Sequence, residues 1–137
     1  MMDFQKVSSE ISKIIVEYEK AKNPFPDYLM ELYRRLTGFL WYYSEFVADT
    51  KGDYNRKYFI RKIETIREKD RLVKGNLAVN RAEIEALLST EEQFLAEIEA
   101  ESLAYRVDLL LKQGNRVADC MRSEISLIKK EREQTEQ

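Results

Sequence analysis

The sequence predicts an all-α protein, an elongated helical bundle with coiled-coil character, from three observations. Charged residues make up 35 % of the 137 residues, while only 4 Gly and 2 Pro interrupt the chain. Apolar residues recur at spacings of three and four, which is the period of a helix face. Alternating patterns typical of strands are almost absent. We therefore expect one helical domain over residues 1–137, oligomeric and with a long C-terminal helix.

The first predicted helix occupies residues 1–22, and its clearest part runs from Asp3 to Lys20. Its apolar seam consists of Phe4, Val7, Ile11, Ile14 and Tyr18. The segment from Asn23 to Pro26 should end this helix, because each proline lacks an amide proton and disfavours helical geometry in the residue before it. Asp27 is expected to cap the next helix.

The second predicted helix covers residues 27–75 and has the most hydrophobic face of the chain. Its side chains expected at the centre of the core are Leu29, Leu32, Leu36, Phe39, Leu40, Tyr43, Phe46 and Val47. Whether the helix breaks between Asp49 and Asp53 stays open, since a single Gly costs only about 1 kcal/mol relative to Ala, and a kink is favoured over a loop. Gly75 and Asn76 have the character of a C-terminal stop.

Residues 77–134 are predicted to form a short acidic helix and then a very long last helix. Ser89 and Glu92 have the spacing of a capping box at the start of the last helix. Gly114 lies on the apolar stripe of that helix, where it would allow close approach of another helix. Because such a long stripe exceeds what a small monomer should bury, it is predicted to form the interface of a homo-oligomer. The stripe comprises Leu110, Val117, Met121, Ile125 and Ile128.

No catalytic residue, cofactor or metal site is expected, and the chain is predicted not to be an enzyme. It contains no His, which excludes catalytic triads, the common zinc sites and the Glu-x-x-His di-iron pattern. The run from Ala82 to Tyr105 carries seven Glu and no Lys or Arg, with the spacing of a solvated helix face. Cys120 is predicted to be a small buried side chain. Without a signal-peptide core or membrane span, we expect a cytoplasmic protein with no membrane contact.

The stretch KYFIRKIETIREKDRLVKG, Lys57 to Gly75, combines seven basic and three acidic residues with aromatic side chains. Single-stranded nucleic acids are bound by cations that contact phosphates and by flat side chains that stack on bases. The candidate binding residues are Lys57, Tyr58, Arg61, Lys62, Arg67, Lys69, Arg71 and Lys74. The alternative is an ordinary helix face, on which these cations pair with Glu64, Glu68, Asp70 or the acidic run of a neighbouring subunit.

Several segments resemble the recombination mediator proteins of T-even bacteriophages, the UvsY-like family. The segments are LWYYSEF at Leu40 to Phe46 before a basic helix, EKDRL at Glu68 to Leu72 before a glycine turn, LLSTEE at Leu87 to Glu92, and SEISLIKKE at the end of the last helix. The resemblance implies a ring-forming helical protein that binds single-stranded DNA. It also implies partners, because the family helps load a RecA-like recombinase onto DNA coated by single-strand-binding protein.

At the residue level the resemblance points to Lys69 and Arg71, which match a Lys-x-Arg pair that contributes to DNA binding in the family. Asp70 departs from the neutral residue that the family has between them. The predicted function is therefore a single-stranded DNA-binding recombination mediator, placed in the host cytoplasm if a phage encodes it. Two alternatives stay open: a small phage-type protein that inhibits a host enzyme through its acidic run, and a structural coiled-coil scaffold.

Overall fold

A computed structural model describes residues 3–136 and confirms the all-α prediction for them. Four helices follow one another in the described chain: α1 spans Phe4–Lys20, α2 spans Pro26–Lys74, α3 spans Val79–Ser89 and α4 spans Glu91–Thr135. Residues 1, 2 and 137 of the predicted domain lie outside the described residues. In the part of the chain described, no helix is both long and apolar enough to cross a membrane.

Asp27 does not cap α2, which corrects the sequence-based prediction. The Phe25 carbonyl accepts a hydrogen bond from the Leu29 amide at 3.0 Å, so Phe25 is the residue before the helix and Pro26 is the first helical residue. Proline is favoured there, because its missing amide proton would have had no partner in the helix. Asp27 instead lies in the first turn, where its negative charge interacts favourably with the helix dipole.

The helix does not break between Asp49 and Asp53. Helix α2 is continuous through this segment and is 49 residues long in total. The predicted stop after Lys74 is confirmed. Asn76 takes the left-handed conformation with a φ of 69°, and the Leu77 amide donates to the Leu72 carbonyl at 3.1 Å. These features form a Schellman motif, which satisfies carbonyls that the helix end would otherwise leave without a partner.

The predicted capping box of Ser89 and Glu92 is not formed. Ser89 is the last residue of α3, and its hydroxyl donates to the Ala86 carbonyl at 2.9 Å. The Phe94 amide donates to the Thr90 carbonyl at 3.0 Å, so Thr90 is the residue before α4. The Ser89 side chain is therefore used inside α3 and is not available to cap α4.

The helices form two compact units. The first unit contains residues 3–47 and 107–136, and thus α1, the first part of α2 and the last part of α4. The second unit is Ala48–Arg106, which contains the rest of α2, all of α3 and the start of α4. Both long helices therefore contribute to both units.

The first unit has a conventional apolar core, and the predicted inward faces of the first two helices are confirmed. Its buried residues are Val7, Ile11, Ile14, Ile15, Leu29, Leu32, Leu36, Leu40, Tyr43, Val47, Val107, Ala118 and Met121. Phe4 packs against this core, with its ring centroid 5.9 Å from that of Tyr43 and 5.3 Å from that of Phe46. Burial of these side chains is the main stabilising contribution in this unit.

The stripe predicted as the oligomer interface lies in the core of the first unit. Met121 is fully buried, and the four other residues are partly buried against the core: Leu110, Val117, Ile125 and Ile128. The premise that a monomer could not cover this stripe is therefore wrong, because the core of the chain itself covers it. Oligomerisation stays a prediction, but Met121 is fully buried in its own chain and cannot contact a second subunit in this structure.

Two further residues of α4 show how its faces are oriented. Gly114 is buried against Leu40 so closely that an added Cβ would overlap Leu40 Cδ2, which confirms the predicted close approach. Cys120 is exposed, so its predicted burial is wrong. Ala118 and Met121 occupy the inward positions of this turn, and Cys120 lies about 100° around the helix from Met121.

Candidate nucleic-acid interface

The second unit has small and polar residues inside and large apolar residues outside. Its buried residues are Ala82, Ala86, Thr90, Glu97, Ala100 and Ala104. Its exposed large apolar residues are Phe59, Ile60, Ile63, Ile66, Val73, Val79, Ile84, Leu87, Leu88, Phe94, Leu95, Ile98, Leu103 and Tyr105. Single exposed apolar residues are common on proteins, but an extensive exposed apolar surface marks a site of interaction.

An ion pair between α2 and α4 lies at the centre of this unit. Arg61 donates from Nε to Glu97 Oε2 at 2.6 Å and from Nη2 to Glu97 Oε1 at 3.2 Å. The guanidinium carbon also lies 5.4 Å from the ring centroid of Tyr58 and 5.1 Å from that of Phe94. The hydrogen bonds to Glu97 raise the pKa of Arg61. Such a bidentate, partly buried pair fixes the register of the two helices.

A second polar contact lies one turn further along α2. The hydroxyls of Thr65 and Thr90 are 3.0 Å apart, so one donates to the other. Each also has a backbone carbonyl within reach: Thr65 Oγ1 lies 2.8 Å from the Arg61 oxygen, and Thr90 Oγ1 lies 3.0 Å from the Ala86 oxygen. The interior of the unit is therefore held by specific polar contacts as well as by apolar packing.

Two predictions are corrected by this interior. Glu97 was expected on a solvated face with the other glutamates, but it is only 6 % exposed. Within the run of glutamates, Glu97 is the one that faces Arg61, and composition does not distinguish it from the others. Arg61 in turn is engaged inside the unit, and it is not free to contact a phosphate without breaking the pair with Glu97.

Most of the other predicted cations also have acidic partners. Arg71 lies 2.5 Å from Glu68, and this hydrogen bond lowers the pKa of Glu68. The three remaining pairs are Lys57 with Asp53 at 3.2 Å, Lys69 with Glu83 at 2.7 Å, and Lys74 with Asp70 at 2.9 Å. All of these pairs are at least partly exposed, and exposed pairs are weak, so phosphates could replace the carboxylates. The contacts nevertheless favour the ordinary-helix interpretation for these residues.

Three cations of α2 have no acidic partner within the described residues. Among residues 3–136, Arg56, Lys62 and Arg67 are exposed and form no ion pair. Helical geometry places them beside an apolar row that points away from Arg61, with Lys62 on one side and the two arginines on the other. The row consists of Phe59, Ile63, Ile66 and Val73, and the exposed Asp70, which pairs with Lys74, lies among them. We call the four apolar residues and the three cations the α2 outer face.

The aromatic residues divide between the two sides of α2. Phe59 is 59 % exposed and lies on the α2 outer face, where a base could stack on it. Tyr58 was predicted to bind nucleic acid, but it is partly buried beside Arg61, and Lys62 Nζ lies 5.7 Å from its ring centroid. The structure therefore offers Phe59, and not Tyr58, as the accessible ring.

Arg56 and Phe59 are not among the predicted binding residues, although Phe59 lies beside the predicted cations in the sequence. Their signal is a heptad-like spacing, because Arg56, Phe59, Ile63 and Ile66 follow one another at intervals of three, four and three. The predicted site instead contains every cation of the stretch, although a helix distributes them around its whole circumference.

The fold and this surface define a helical protein with an exposed basic and apolar helix face. No family model, curated protein or solved structure matches the chain. In the described part of the chain, no group of three or more His, Cys, Asp or Glu residues is placed to hold a metal ion.

Proposed function

We propose that this chain is a non-catalytic, single-stranded DNA-binding accessory protein of the recombination-mediator type. The α2 outer face is the observation that supports this proposal. It combines three cations that form no ion pair within residues 3–136, Arg56, Lys62 and Arg67, with the exposed ring of Phe59. The proposed site thus rests on the unpaired cations of α2 and no longer on the paired ones.

Single-stranded DNA fits this face better than duplex DNA. The centre of the face is apolar, and the flat faces of bases are accessible only when the bases are unpaired. Arg56 and Arg67 lie on one edge of the apolar row, where the phosphates of a strand with its bases turned toward the row would run, and Lys62 lies on the other edge. A stacked base contributes about 1–3 kcal/mol, and the phosphate contacts add a salt-sensitive contribution without sequence preference.

The protein partners in this proposal come from the resemblance of the sequence. The order of aromatic segment, basic helix, glycine turn and long last helix resembles the UvsY-like mediators. It supports a role in helping a RecA-like recombinase assemble on DNA that single-strand-binding protein covers. The chain itself would hold the strand and perform no chemistry.

A titration with labelled oligonucleotides at two salt concentrations tests the proposal. We expect single-stranded DNA to bind with micromolar or tighter affinity and duplex DNA of the same length to bind more weakly. The affinity for the single strand should fall steeply with salt, by about 0.7 in the logarithmic slope for each phosphate contact. Equal affinity for the two forms, or no binding at low salt, would contradict it.

The scaffold alternative is also favoured by one observation, the apolar exterior of the second unit. A helical scaffold would self-associate through this exterior and show no affinity for DNA at any salt concentration. The same titration therefore separates the two functions, because only the DNA-binding protein changes the anisotropy of the labelled strand.

A further inference from the structure

The start of α4 has an exposed face that complements the α2 outer face in charge. Helical spacing aligns its exposed apolar residues Leu95, Ile98 and Tyr105. Glu91 lies in this row and Glu92 and Glu99 lie beside it, all three exposed and with no basic partner among residues 3–136. Arg106, which is also exposed, lies on the same side of the helix near its Tyr105 end. We call the three apolar residues and the three glutamates the α4 outer face.

The two outer faces of one chain cannot contact each other. Arg61 and Glu97 meet inside the unit, and each outer face lies on the side of its helix away from that ion pair. The faces therefore point in opposite directions. The three unpaired cations beside one apolar row therefore cannot pair with the three unpaired carboxylates of the other row within one chain, whereas a second copy could bring the two sets together.

We infer that the α2 outer face of one copy docks on the α4 outer face of a second copy of this chain. The apolar rows would be buried, and Arg56, Lys62 and Arg67 would lie opposite Glu91, Glu92 and Glu99. Charge complementarity of this kind selects the partner and its orientation. A contact between two different faces leaves one of each free, so copies add head to tail into a ring or an open filament.

The exposed apolar area supplies about half of what a standard interface buries on each partner. At about 200 Å² for a complete side chain, the exposed fractions correspond to roughly 400 Å² of apolar surface on the α2 outer face and roughly 330 Å² on the α4 outer face. The stems of the flanking charged residues bring the buried area toward the roughly 800 Å² per partner of a standard interface. The contact would also give the second unit the apolar burial that its small and polar interior lacks.

Sedimentation velocity of the DNA-free protein tests this inference. Two double variants reverse the charge of one face each: Lys62→Glu with Arg67→Glu, and Glu92→Lys with Glu99→Lys. We expect each alone to associate more than tenfold more weakly than the wild type. An equimolar mixture of the two should associate again, because each reversed face then meets its complement. Reversal of two exposed lysines of the first unit, Lys129→Glu with Lys130→Glu, is the control and should leave association unchanged.

The inference is overturned if the wild type stays monomeric up to 100 μM, or if the mixed variants do not associate. Self-association of either double variant at the wild-type level would also overturn it. All four altered residues are exposed, and circular dichroism checks that the variants keep their helix content. Hydrogen exchange gives a second readout on the wild type: concentrating the protein should protect residues 59–67 and 91–105, and no change there would overturn the inference. None of these measurements depends on whether the chain binds DNA.

Discussion

The Arg61–Glu97 pair connects the chemistry of single residues to the unusual interior of the second unit. Replacing Glu97 with Ala would leave a partly buried guanidinium without its carboxylate, and we expect a loss of about 2 kcal/mol in the free energy of unfolding. Glu101→Ala is the matched control, since Glu101 is exposed and has no basic partner among residues 3–136. Urea denaturation of both variants measures the difference. Equal stabilities would show that the pair does not hold the unit together.

Tyr18 makes the stability of the first unit sensitive to pH in the alkaline range. Partial burial, and then its hydrogen bond to Glu124, raise the pKa of Tyr18 above the ordinary value of 10.0. The unfolded chain therefore loses this proton at a lower pH than the folded chain, so stability is full below about pH 10 and falls as pH rises above it. Tyr18→Phe should be less stable than wild type at pH 8 and should lose less of its stability between pH 9 and 11. Thermal unfolding across that range would refute this if both proteins lost stability equally.

The individual cations of α2 can be ranked by their partners. Replacing Lys62 and Arg67 with Ala should weaken binding to single-stranded DNA and reduce the slope of log affinity against log salt by about 1.4, which is 0.7 for each lost contact. Lys69 and Arg71 are the matched pair, and their replacement should have a smaller effect because each already contacts a carboxylate. A larger effect at Lys69 and Arg71 would favour the positions that the resemblance implies.

At the scale of the helices, Gly114 determines how closely α4 approaches α2 in the first unit. Gly114→Ala should destabilise the protein by about 1–2 kcal/mol, because the clash with Leu40 outweighs the gain of about 1 kcal/mol in helix propensity. Gly38→Ala is the control within the same unit. A Cβ at Gly38 meets nothing within 4 Å, so this variant should be more stable than wild type. Stabilisation by both changes, measured by thermal unfolding, would mean that the helices can separate at no cost.

Periodicity predicted the helices well but predicted their ends less well. The inward faces of α1 and the start of α2 followed from their spacing, because apolar burial dominates there. The predictions of the helix caps were wrong because residues that compete for the cap position lie within one or two positions of each other. Pro26 displaces Asp27 from the cap of α2, and Ser89 is retained by α3. Energies of about 1 kcal/mol separate such arrangements, and spacing alone does not resolve them.

The second half of α2 shows what the sequence could not reveal. It has one seam that is mainly polar, with Tyr58, Arg61 and Thr65, and another with Phe59, Ile63 and Ile66. The usual expectation puts the apolar seam inside, but here the polar seam faces α4 and the apolar seam is exposed. The outcome depends on Glu97 and Thr90, which lie about thirty residues away and become partners only in the folded chain. Thus Lys62 and Arg67 could be selected from the sequence, whereas the face that unites them with Arg56 and Phe59 could not.

For the whole molecule, the two proposals assign the same helix face to two occupants. Arg56, Lys62 and Arg67 cannot pair with phosphates and with the carboxylates of a second copy at the same time. Single-stranded DNA and the next copy should therefore compete for the α2 outer face. Free protein would be stored as an assembly, and DNA binding would release subunits from it. This differs from what the resemblance implies, which is a ring-forming protein that binds single-stranded DNA.

Sedimentation velocity with a short labelled oligonucleotide tests this account most directly. A strand of about ten nucleotides is in the range that one binding module covers, so it should not bridge several subunits. As the strand is added to assembled protein, we predict that labelled DNA sediments with single subunits and that the fraction of assembled protein falls in proportion. Labelled DNA that sediments with the intact assembly, with no loss of assembled protein, would contradict the shared use of the α2 outer face.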